Sequence, residues 1–411
     1  MKMYKVRWVD ELLTSALRVM PVTVVTGARQ TGKTTAVREL GAGRQFYSLD
    51  DISILDLAQR DASQLLKSRP VTIDEAQRAP GLFLAVKQAV DERRHPGDFI
   101  LTGSANLNLG DLVSESLAGR ALYLELPPFC PAEWRAREGR LAPLDQLFEE
   151  SFDPGDWPCE EGAWAAWLLR GGFAPSLELA SDQDRGLWLG SYVQTYLERD
   201  LRQLSAISSL PDFQRLMVLA AHRCARLLNQ ADLARDAALS HATAHRYINL
   251  LEAGFLITRL RPYTAGSARS VVRTPKLLWN DCGLAAWLAG LRRPDDVMKR
   301  PDTGFWLEQA IFMTLQTWRA LDPVERRLYF WRDKSGREVD FVLEKRGQLV
   351  AIELKLGGQV SAGDADGLRA FRDSLKPGQH LVRSVVMHGG TAQPLGSDIF
   401  ALPWGWLVPA D

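Results

Sequence analysis

The first third of the chain alternates short apolar runs with segments of helical periodicity. The apolar runs predict strands at residues 22–26, 45–49, 71–73, 99–102 and 122–126. Strands that alternate with helices are typical of a parallel β-sheet covered by helices on both faces. We therefore predict an α/β domain over residues 1–135.

The pattern changes after residue 135. Prolines and glycines interrupt the next segment before helical periodicity returns, and we interpret residues 136–209 as a linker and helical connector. Residues 210–273 show three helical segments, the first predicted at 212–228, and a strand, which is the order of a winged helix-turn-helix. Residues 274–411 show a helix and two alternating strands, which predict a second α/β domain.

The composition is that of a folded globular protein. The 411 residues include 46% hydrophobic and 24% charged residues, and their formal net charge is zero. A polyanionic partner must therefore be argued from local clusters. The four cysteines are far apart in the chain, which excludes a CxxC motif. Without a bilayer-length apolar run or a signal-peptide core, we expect a cytoplasmic protein with no membrane partner.

A glycine-rich segment follows the first predicted strand. Its two glycines five positions apart, followed by lysine and threonine, match the pattern whose backbone N–H groups surround phosphates. We expect Lys33 to reach the β- and γ-phosphates of a nucleoside triphosphate and Thr34 to bind Mg²⁺. An incidental glycine turn is the alternative. The predicted nucleotide-binding residues are Gly27, Ala28, Arg29, Gln30, Thr31, Gly32, Lys33, Thr34 and Thr35.

Polar residues end the next two central strands. Asp74 and Glu75 follow the run at 71–73, where they would face the ligand crevice of a parallel sheet. Asp74 is suited to hold Mg²⁺ and Glu75 to polarise the attacking water, and an acidic turn is the alternative. Thr102 or Ser104 is a candidate for sensing the γ-phosphate or orienting water, although hydroxyl residues also cap turns.

Arg120 precedes the last strand of this domain. An arginine at a sheet edge is usually a solvated charge. The alternative is that it reaches the nucleotide of a neighbouring subunit, where it would stabilise the charge being transferred.

These motifs resemble the AAA+ ATPases. More narrowly, they are similar to a prokaryotic family in which an AAA-type ATPase precedes a C-terminal region of unknown function. The further segments that carry the resemblance are Ile73-Asp74-Glu75-Ala76-Gln77, Leu101-Thr102-Gly103-Ser104, Leu117-Ala118-Gly119-Arg120, Leu126-Pro127-Pro128, Gly171-Gly172-Phe173 and Tyr196-Leu197-Glu198-Arg199-Asp200. The resemblance implies a ring or other homo-oligomer with Arg120 as an inter-subunit finger. It also implies ATP hydrolysis by Lys33, Thr34, Asp74 and Glu75.

The middle of the chain has a basic surplus. Between His222 and Lys276, nine Lys and Arg residues stand against three acidic residues, a difference of six. Such a cluster in a neutral chain favours DNA as the polyanionic partner. The alternative is a winged helix that packs domains or subunits together, with solvated charges. The predicted DNA-binding face of the helix after Ser240 consists of His241, His245, Arg246 and Asn249.

The C-terminal third contains carboxylates and a lysine at suggestive positions. Glu308 lies on the apolar face of the helix predicted at 304–319, where a carboxylate is costly unless it is paired or metal-bound. Alternation in the strands at 338–344 and 350–356 places Asp340, Glu353 and Lys355 opposite the apolar rows, where they can converge.

This arrangement resembles the PD-(D/E)XK nuclease superfamily. The resemblance implies that Glu308, Asp340 and Glu353 bind Mg²⁺ and that Lys355 activates or orients water. Related domains also serve as docking surfaces, so cleavage stays open.

Three functions fit these patterns. The first is an oligomeric, Mg²⁺-dependent ATPase coupled to the binding and remodelling of duplex or branched DNA. The second is a nucleotide-dependent regulatory switch whose C-terminal domains bind proteins. The third is an ATP-gated, metal-dependent DNA nuclease.

Overall fold

The computed structural model describes residues 4–104, 117–135, 143–153, 160, 162–196, 209–264, 271–396 and 398–408. The chain separates into two compact units: Met1–Pro128 together with Ala253–Phe255, and Phe129–Glu252 together with Leu256–Asp411. Most of the Tyr196–Asp200 motif and Arg269, one of the nine basic residues, lie outside the described residues.

The first unit contains a five-stranded parallel sheet in the order β2-β3-β4-β1-β5. The predicted α/β class is confirmed, and each strand end lies within one residue of its predicted position. The strands are β1 (Val22–Thr26), β2 (Gln45–Ser48), β3 (Val71–Asp74), β4 (Phe99–Gly103) and β5 (Ala121–Glu125). The helices are α1 (Asp10–Val19), α2 (Lys33–Leu40), α3 (Ile52–Asp61) and α4 (Gly81–Glu92).

Strand β1 lies between β4 and β5, and β3 pairs with the other edge of β4. All residues of β1, β3 and β4 are buried, as expected for strands that carry helices on both faces. The register aligns Thr26 with Gly103 and Ile73 with Leu101. The loops after these strands therefore leave the sheet side by side at its carboxyl edge.

The second unit begins with helical segments. The first are α5 (Pro131–Trp134), α6 (Ala163–Arg170), α7 (Ala174–Leu177) and α8 (Asp182–Thr195). They are followed by α9 (Leu210–Ala221), α10 (Gln230–Asp236), α11 (His241–Ala253) and the antiparallel strands β6 (Ile257–Leu260) and β7 (Lys276–Trp279). Within the part of the chain that the structure describes, none of the helices has the length and apolar character of a membrane span.

Helix α11 has the amphipathic pattern expected from the sequence. The Ser240 hydroxyl accepts a hydrogen bond from the Thr243 N–H (3.1 Å), as an N-cap residue does. The apolar stripe is buried: Ala244, Tyr247, Ile248 and Leu251. The face with the predicted DNA-binding residues is consequently turned away from this core.

One expectation in the middle region is wrong, the length of its first helix, whereas the domain boundary stays a prediction. The helix predicted at 212–228 ends at Ala221, because the following chain pairs with the segment around β7: the Ala225 N–H donates to Leu277 O (2.7 Å). Ala225 also adopts a φ of +57°. The proposed boundary between residues 273 and 274 separates β6 from its partner β7. The winged helix-turn-helix assignment itself stays a prediction.

The C-terminal part packs helices against a mixed six-stranded sheet in the order β12-β13-β11-β10-β9-β8. Its strands are β8 (Arg326–Arg332), β9 (Glu338–Lys345), β10 (Gln348–Leu354), β11 (His380–His388), β12 (Gln393–Pro394) and β13 (Ile399–Pro403). Its helices are α12 (Cys282–Leu288), α13 (Pro294–Met298), α14 (Thr303–Ala320) and α15 (Asp366–Ser374).

Two apolar side chains that we expected on the buried faces of the segments at 304–319 and 350–356 are exposed. Strand β10 ends at Leu354, so Leu356 lies beyond the alternating segment and is exposed. Phe305, near the start of α14, is also exposed, and the Arg226 guanidinium lies 4.7 Å from its ring centroid. Alternation predicts a buried face only as far as the regular element extends.

The Gly171-Gly172-Phe173 motif meets the N-terminus of α12. One carboxylate oxygen of Asp281 accepts from the Gly172 N–H (2.7 Å), and the other accepts from the Leu284 N–H (2.7 Å) and caps the helix. A Cβ atom on Gly172 would lie 2.0 Å from the carbonyl oxygen of Phe129. The backbone therefore comes too close at this position for any side chain.

Asp281 makes the stability of the second unit depend on pH. Burial raises the pKa of Asp281 to about 6, from 3.8, although backbone N–H groups partly offset the shift. Between these pH values the folded chain binds more protons than the unfolded chain, so stability falls as pH rises. We expect Asp281→Asn to remove up to roughly 3 kcal/mol of this pH dependence. Urea unfolding of both proteins between pH 4 and pH 7 measures it, and parallel profiles would contradict it.

Candidate functional site

The glycine-rich loop connects β1 to the N-terminus of α2. Its backbone has positive φ values at Gly27 (+145°), Gln30 (+65°) and Gly32 (+94°). A Cβ atom on Gly27 would lie 2.4 Å from the carbonyl oxygen of Leu126, so this position requires glycine. The loop therefore follows a path that the two motif glycines make possible.

Lys33 and Arg7 both bond to carbonyl groups of this loop. The buried Lys33 ammonium donates to the carbonyl oxygens of Gly27 (2.9 Å) and Ala28 (2.7 Å). The buried Arg7 guanidinium donates to Thr31 O (2.9 Å) and to Pro127 O (2.8 Å). Arg7 thus joins the loop to the segment after β5. Of the other predicted nucleotide-binding residues, Arg29 is half-buried, whereas Gln30 and Thr35 are exposed.

Thr34 and Asp74 meet at the carboxyl edge of the sheet. The Thr34 hydroxyl lies 3.1 Å from each carboxylate oxygen of Asp74, and the Thr102 hydroxyl also donates to Asp74. Burial raises the pKa of Asp74, and the adjacent Glu75 adds to this, while the hydrogen bonds oppose it. A hydroxyl and a carboxylate are hard oxygen donors of the kind that Mg²⁺ prefers, so these side chains fit the implied ion.

Glu75 is held by three neighbouring polar side chains. Its backbone has a φ of +58°, and its N–H donates to the Thr102 hydroxyl (3.2 Å). Its carboxylate accepts from the Gln77 amide (2.5 Å) and from the Ser104 hydroxyl (3.2 Å). The Gln77 amide nitrogen also donates to the Ser104 hydroxyl oxygen, at 3.1 Å. The predicted residues Asp74, Glu75 and Ser104 therefore lie in one hydrogen-bonded network.

Arg120 lies at the amino ends of the strands, whereas the phosphate loop and Asp74 lie at the carboxyl ends. Its carbonyl accepts from the Val22 N–H at the amino end of β1, whereas the glycine-rich loop follows the carboxyl end of that strand. The exposed Asp91 forms an ion pair with its guanidinium (2.7 Å). Arg120 therefore does not reach the phosphate loop of its own chain. Its action on a neighbouring subunit stays a prediction, as does the homo-oligomer.

The predicted DNA-binding residues share the outer face of α11. His241, His245 and Arg246 are exposed, and Asn249 is half-buried. The His245 Nδ1 atom lies 2.9 Å from the Gln230 side-chain oxygen, and the Arg246 guanidinium lies 5.5 Å from the Tyr247 ring centroid. The structure thus brings these residues together on one accessible surface.

The basic surplus is reduced by internal ion pairs. Arg226 pairs with Asp302 and Lys276 with Glu308, and both carboxylates lie outside the segment over which the surplus was counted. Three more of the nine cations pair with acidic residues inside that segment: Arg223, Arg235 and Arg259. Counting residues therefore overestimates the positive charge that this region presents to a partner.

Lys276 enters the predicted metal site of the C-terminal part. Its ammonium lies 2.6 Å from Glu308, 2.5 Å from Glu338 and 3.5 Å from Asp340. Burial alone would lower the pKa of Lys276, but its three carboxylate partners outweigh that effect and raise it. Glu308 is therefore paired rather than left as an isolated buried charge.

Glu353 and Lys355 pair with each other next to Asp340. The Lys355 ammonium lies 3.0 Å from Glu353 Oε1. Asp340 Oδ2 accepts a hydrogen bond from the Leu354 N–H (2.9 Å). Burial, followed by the charge of Asp340, raises the pKa of Glu353 to about 8. Among the residues that the structure describes, no three His, Cys, Asp or Glu side chains are arranged to hold a metal ion. Binding of Mg²⁺ by Glu308, Asp340 and Glu353 stays a prediction.

Comparison with known proteins divides the chain into three matched regions. An AAA domain matches residues 20–134, a domain of unknown function (DUF8612) matches 161–295, and a domain of unknown function (DUF4143) matches 303–407. Two uncharacterized proteins, Mb2031c of Mycobacterium bovis and Rv2008c of Mycobacterium tuberculosis, are each 31% identical over 395 residues, or 95% of this chain and 82% of theirs. The chain belongs to their family. Its first unit is an AAA-type P-loop ATPase domain.

Solved structures show a weaker likeness. The Walker-type ATPase PABY2304 of Pyrococcus abyssi is 16% identical, with a TM-score of 0.42 over 68% of this chain and 94% of that one. The RuvB Holliday junction branch migration motor of Thermotoga maritima is 18% identical, with a TM-score of 0.29 over 61% of this chain and 88% of that one. Both TM-scores are below 0.5, and neither likeness bears on the function of this chain.

Four residues of these sites are absent from the sequence-based predictions. Gln77 lies within a motif already singled out, and Glu338 shares a strand face with Asp340, so both could have been found from their spacing. Arg7 and Lys276 act through contacts with residues distant in the chain, and no local pattern indicates them.

The Thr102 hydroxyl offers a test of the network around Asp74. Thr102→Val removes a donor to Asp74 and an acceptor for the Glu75 N–H, so we expect the unfolding free energy to fall by about 1–3 kcal/mol. Thr23→Val is the matched control: Thr23 is a buried strand residue of the same sheet, and its hydroxyl has no hydrogen-bond partner among the described residues. Chemical denaturation measures both, and equal losses would contradict the expected role of Thr102.

Proposed function

We propose that the AAA domain binds ATP with Mg²⁺ and hydrolyses it at the carboxyl edge of its sheet. The observation that carries this proposal is the contact between Thr34 and Asp74, 3.1 Å from hydroxyl to carboxylate. These are the two side chains expected to hold the ion beside a phosphate loop. Thr34 lies in the first turn of α2, whose N-terminus favours the negative charge of phosphates.

Each neighbouring side chain has a role in this proposal. The Lys33 ammonium exchanges the carbonyl oxygens of Gly27 and Ala28 for β- and γ-phosphate oxygens when the nucleotide binds. The bound Mg²⁺ neutralises charge on those phosphates. Glu75 orients and polarises the attacking water. Gln77 and Ser104 hold the Glu75 carboxylate and so determine where it points.

Substitutions of Glu75 and Lys33 separate hydrolysis from binding. We expect Glu75→Gln to lower kcat by about 10²-fold or more with nucleotide binding retained, because it removes the base but not the phosphate contacts. Lys33→Ala is expected to weaken nucleotide binding itself. Phosphate release and titration with a fluorescent ATP analogue measure the two effects. Glu39→Gln, an exposed change on α2, is the control. Wild-type turnover by Glu75→Gln would refute its role.

We propose further that hydrolysis is coupled to DNA binding through the outer face of α11. The exposed side chains of His241, His245 and Arg246 support this, because they project from one face of a helix that buries its opposite stripe. The order of helices and strands around α11 is compatible with a recognition helix. The cations on this face are few, so we expect few phosphate contacts for each copy of the chain.

Arg246→Ala tests this surface. We expect weaker binding to every duplex or branched DNA, with a salt dependence reduced by about one unit, because one phosphate contact is lost. Arg235→Ala is the matched control, since Arg235 is also exposed but pairs with Asp232 and Asp236. Fluorescence anisotropy at several salt concentrations measures the difference. DNA binding that is absent or independent of salt, with ATP turnover unaffected by DNA, would favour the regulatory switch instead.

A further inference from the structure

The carboxylate cluster of the C-terminal part surrounds a lysine from β7. The Lys276 side chain is only 2% exposed, and its ammonium contacts one oxygen each of Glu308, Glu338 and Asp340. The Phe330 ring centroid lies 5.4 Å from the same ammonium. The position at the centre of this cluster is therefore occupied by a positively charged group of the chain itself.

Several of the other carboxylate oxygens are also engaged, whereas the buried Oε2 of Glu353 has no hydrogen-bond partner among the described residues. Asp340 Oδ2 accepts from the Leu354 N–H (2.9 Å), and Glu338 Oε2 accepts from the Arg332 guanidinium (2.9 Å). Glu353 Oε1 accepts from Lys355 (3.0 Å). Both oxygens of Asp340 and both oxygens of Glu338 thus already face a donor.

These contacts suit an ammonium better than a divalent metal. An ammonium has three N–H donors, and three carboxylate oxygens lie within 3.5 Å of this one. Mg²⁺ instead requires near-octahedral geometry at about 2.0–2.1 Å and keeps several waters. A second cation beside Lys276 would be repelled, and displacing Lys276 would leave its ammonium buried without partners.

We infer that Lys276 is the built-in counter-ion of Glu308, Glu338 and Asp340, and that this cluster takes no divalent metal. The metal site implied by the nuclease resemblance does not fit these residues. The cluster instead fastens β7 to α14 and β9, and metal-dependent DNA cleavage does not occur there. This inference does not rest on ATP hydrolysis or DNA binding by the chain.

Metal binding by the intact chain tests this directly. In an Asp74→Asn background, which removes the carboxylate of the nucleotide site, we expect Mn²⁺ titrations followed by electron paramagnetic resonance to be unchanged by Asp340→Asn or by Glu353→Gln. A saturable Mn²⁺ site that either substitution abolishes would overturn the inference. So would Mg²⁺- or Mn²⁺-dependent DNA cleavage that Glu353→Gln abolishes.

A charge-removing substitution tests the role of Lys276 itself. We expect Lys276→Met to lower the thermal unfolding midpoint clearly, because three buried carboxylates lose their shared partner. Lys299→Met is the control, since Lys299 pairs with Asp295 at the surface. Equal midpoints for Lys276→Met and wild type would overturn the inference. If Lys276→Met does not fold, that result supports it, and the Mn²⁺ titrations of the Lys276-containing proteins still decide whether a metal binds.

Discussion

The parallel register of β1, β3 and β4 is the constraint on which the nucleotide site depends. These strands run in the same direction and lie next to one another. Their last residues, Thr26, Asp74 and Gly103, therefore lie at the same carboxyl edge of the sheet. The loops that follow them bring together Thr34, Asp74 and Ser104, which are far apart in the chain. The short side chains of Thr102 and Ser104 can then reach Glu75, because the backbone has already placed these residues close to it.

A different constraint acts in the second unit, where buried charge has to be paired. Glu308 on α14 is tolerable in the interior only because β7 carries Lys276 to it. The same ammonium also pairs with Glu338 on β9, so one lysine connects three elements that are separate in the sequence. A group of buried carboxylates that resembles a metal site can therefore be neutralised by an internal ammonium instead. Only the three-dimensional arrangement distinguishes the two cases.

Features that depend on local sequence patterns could be predicted from the sequence, whereas features that depend on contacts between distant residues could not. The strands of the first unit depend on local periodicity, and their ends lie within one residue of the predicted positions. The phosphate loop and the Asp74-Glu75 pair form contiguous motifs, which is why a sequence can indicate them. The continuation of α9 beyond Ala221 is predicted wrongly, because the chain that follows Ala221 pairs with β7 instead. Arg7 and Lys276 could not be predicted, since each acts on residues that the fold, and not the sequence, brings close.

The pairing of charges also limits how the chain can contact a polyanion. A formal net charge of zero combined with extensive internal pairing leaves few cations directed at a partner. Affinity for DNA grows with the number of phosphates that are neutralised and falls with salt in the same proportion. A surface built from Arg246 and two histidines would therefore bind weakly as a single copy. Tight binding would require several copies to act on one DNA molecule, which is the arrangement that a homo-oligomer would supply.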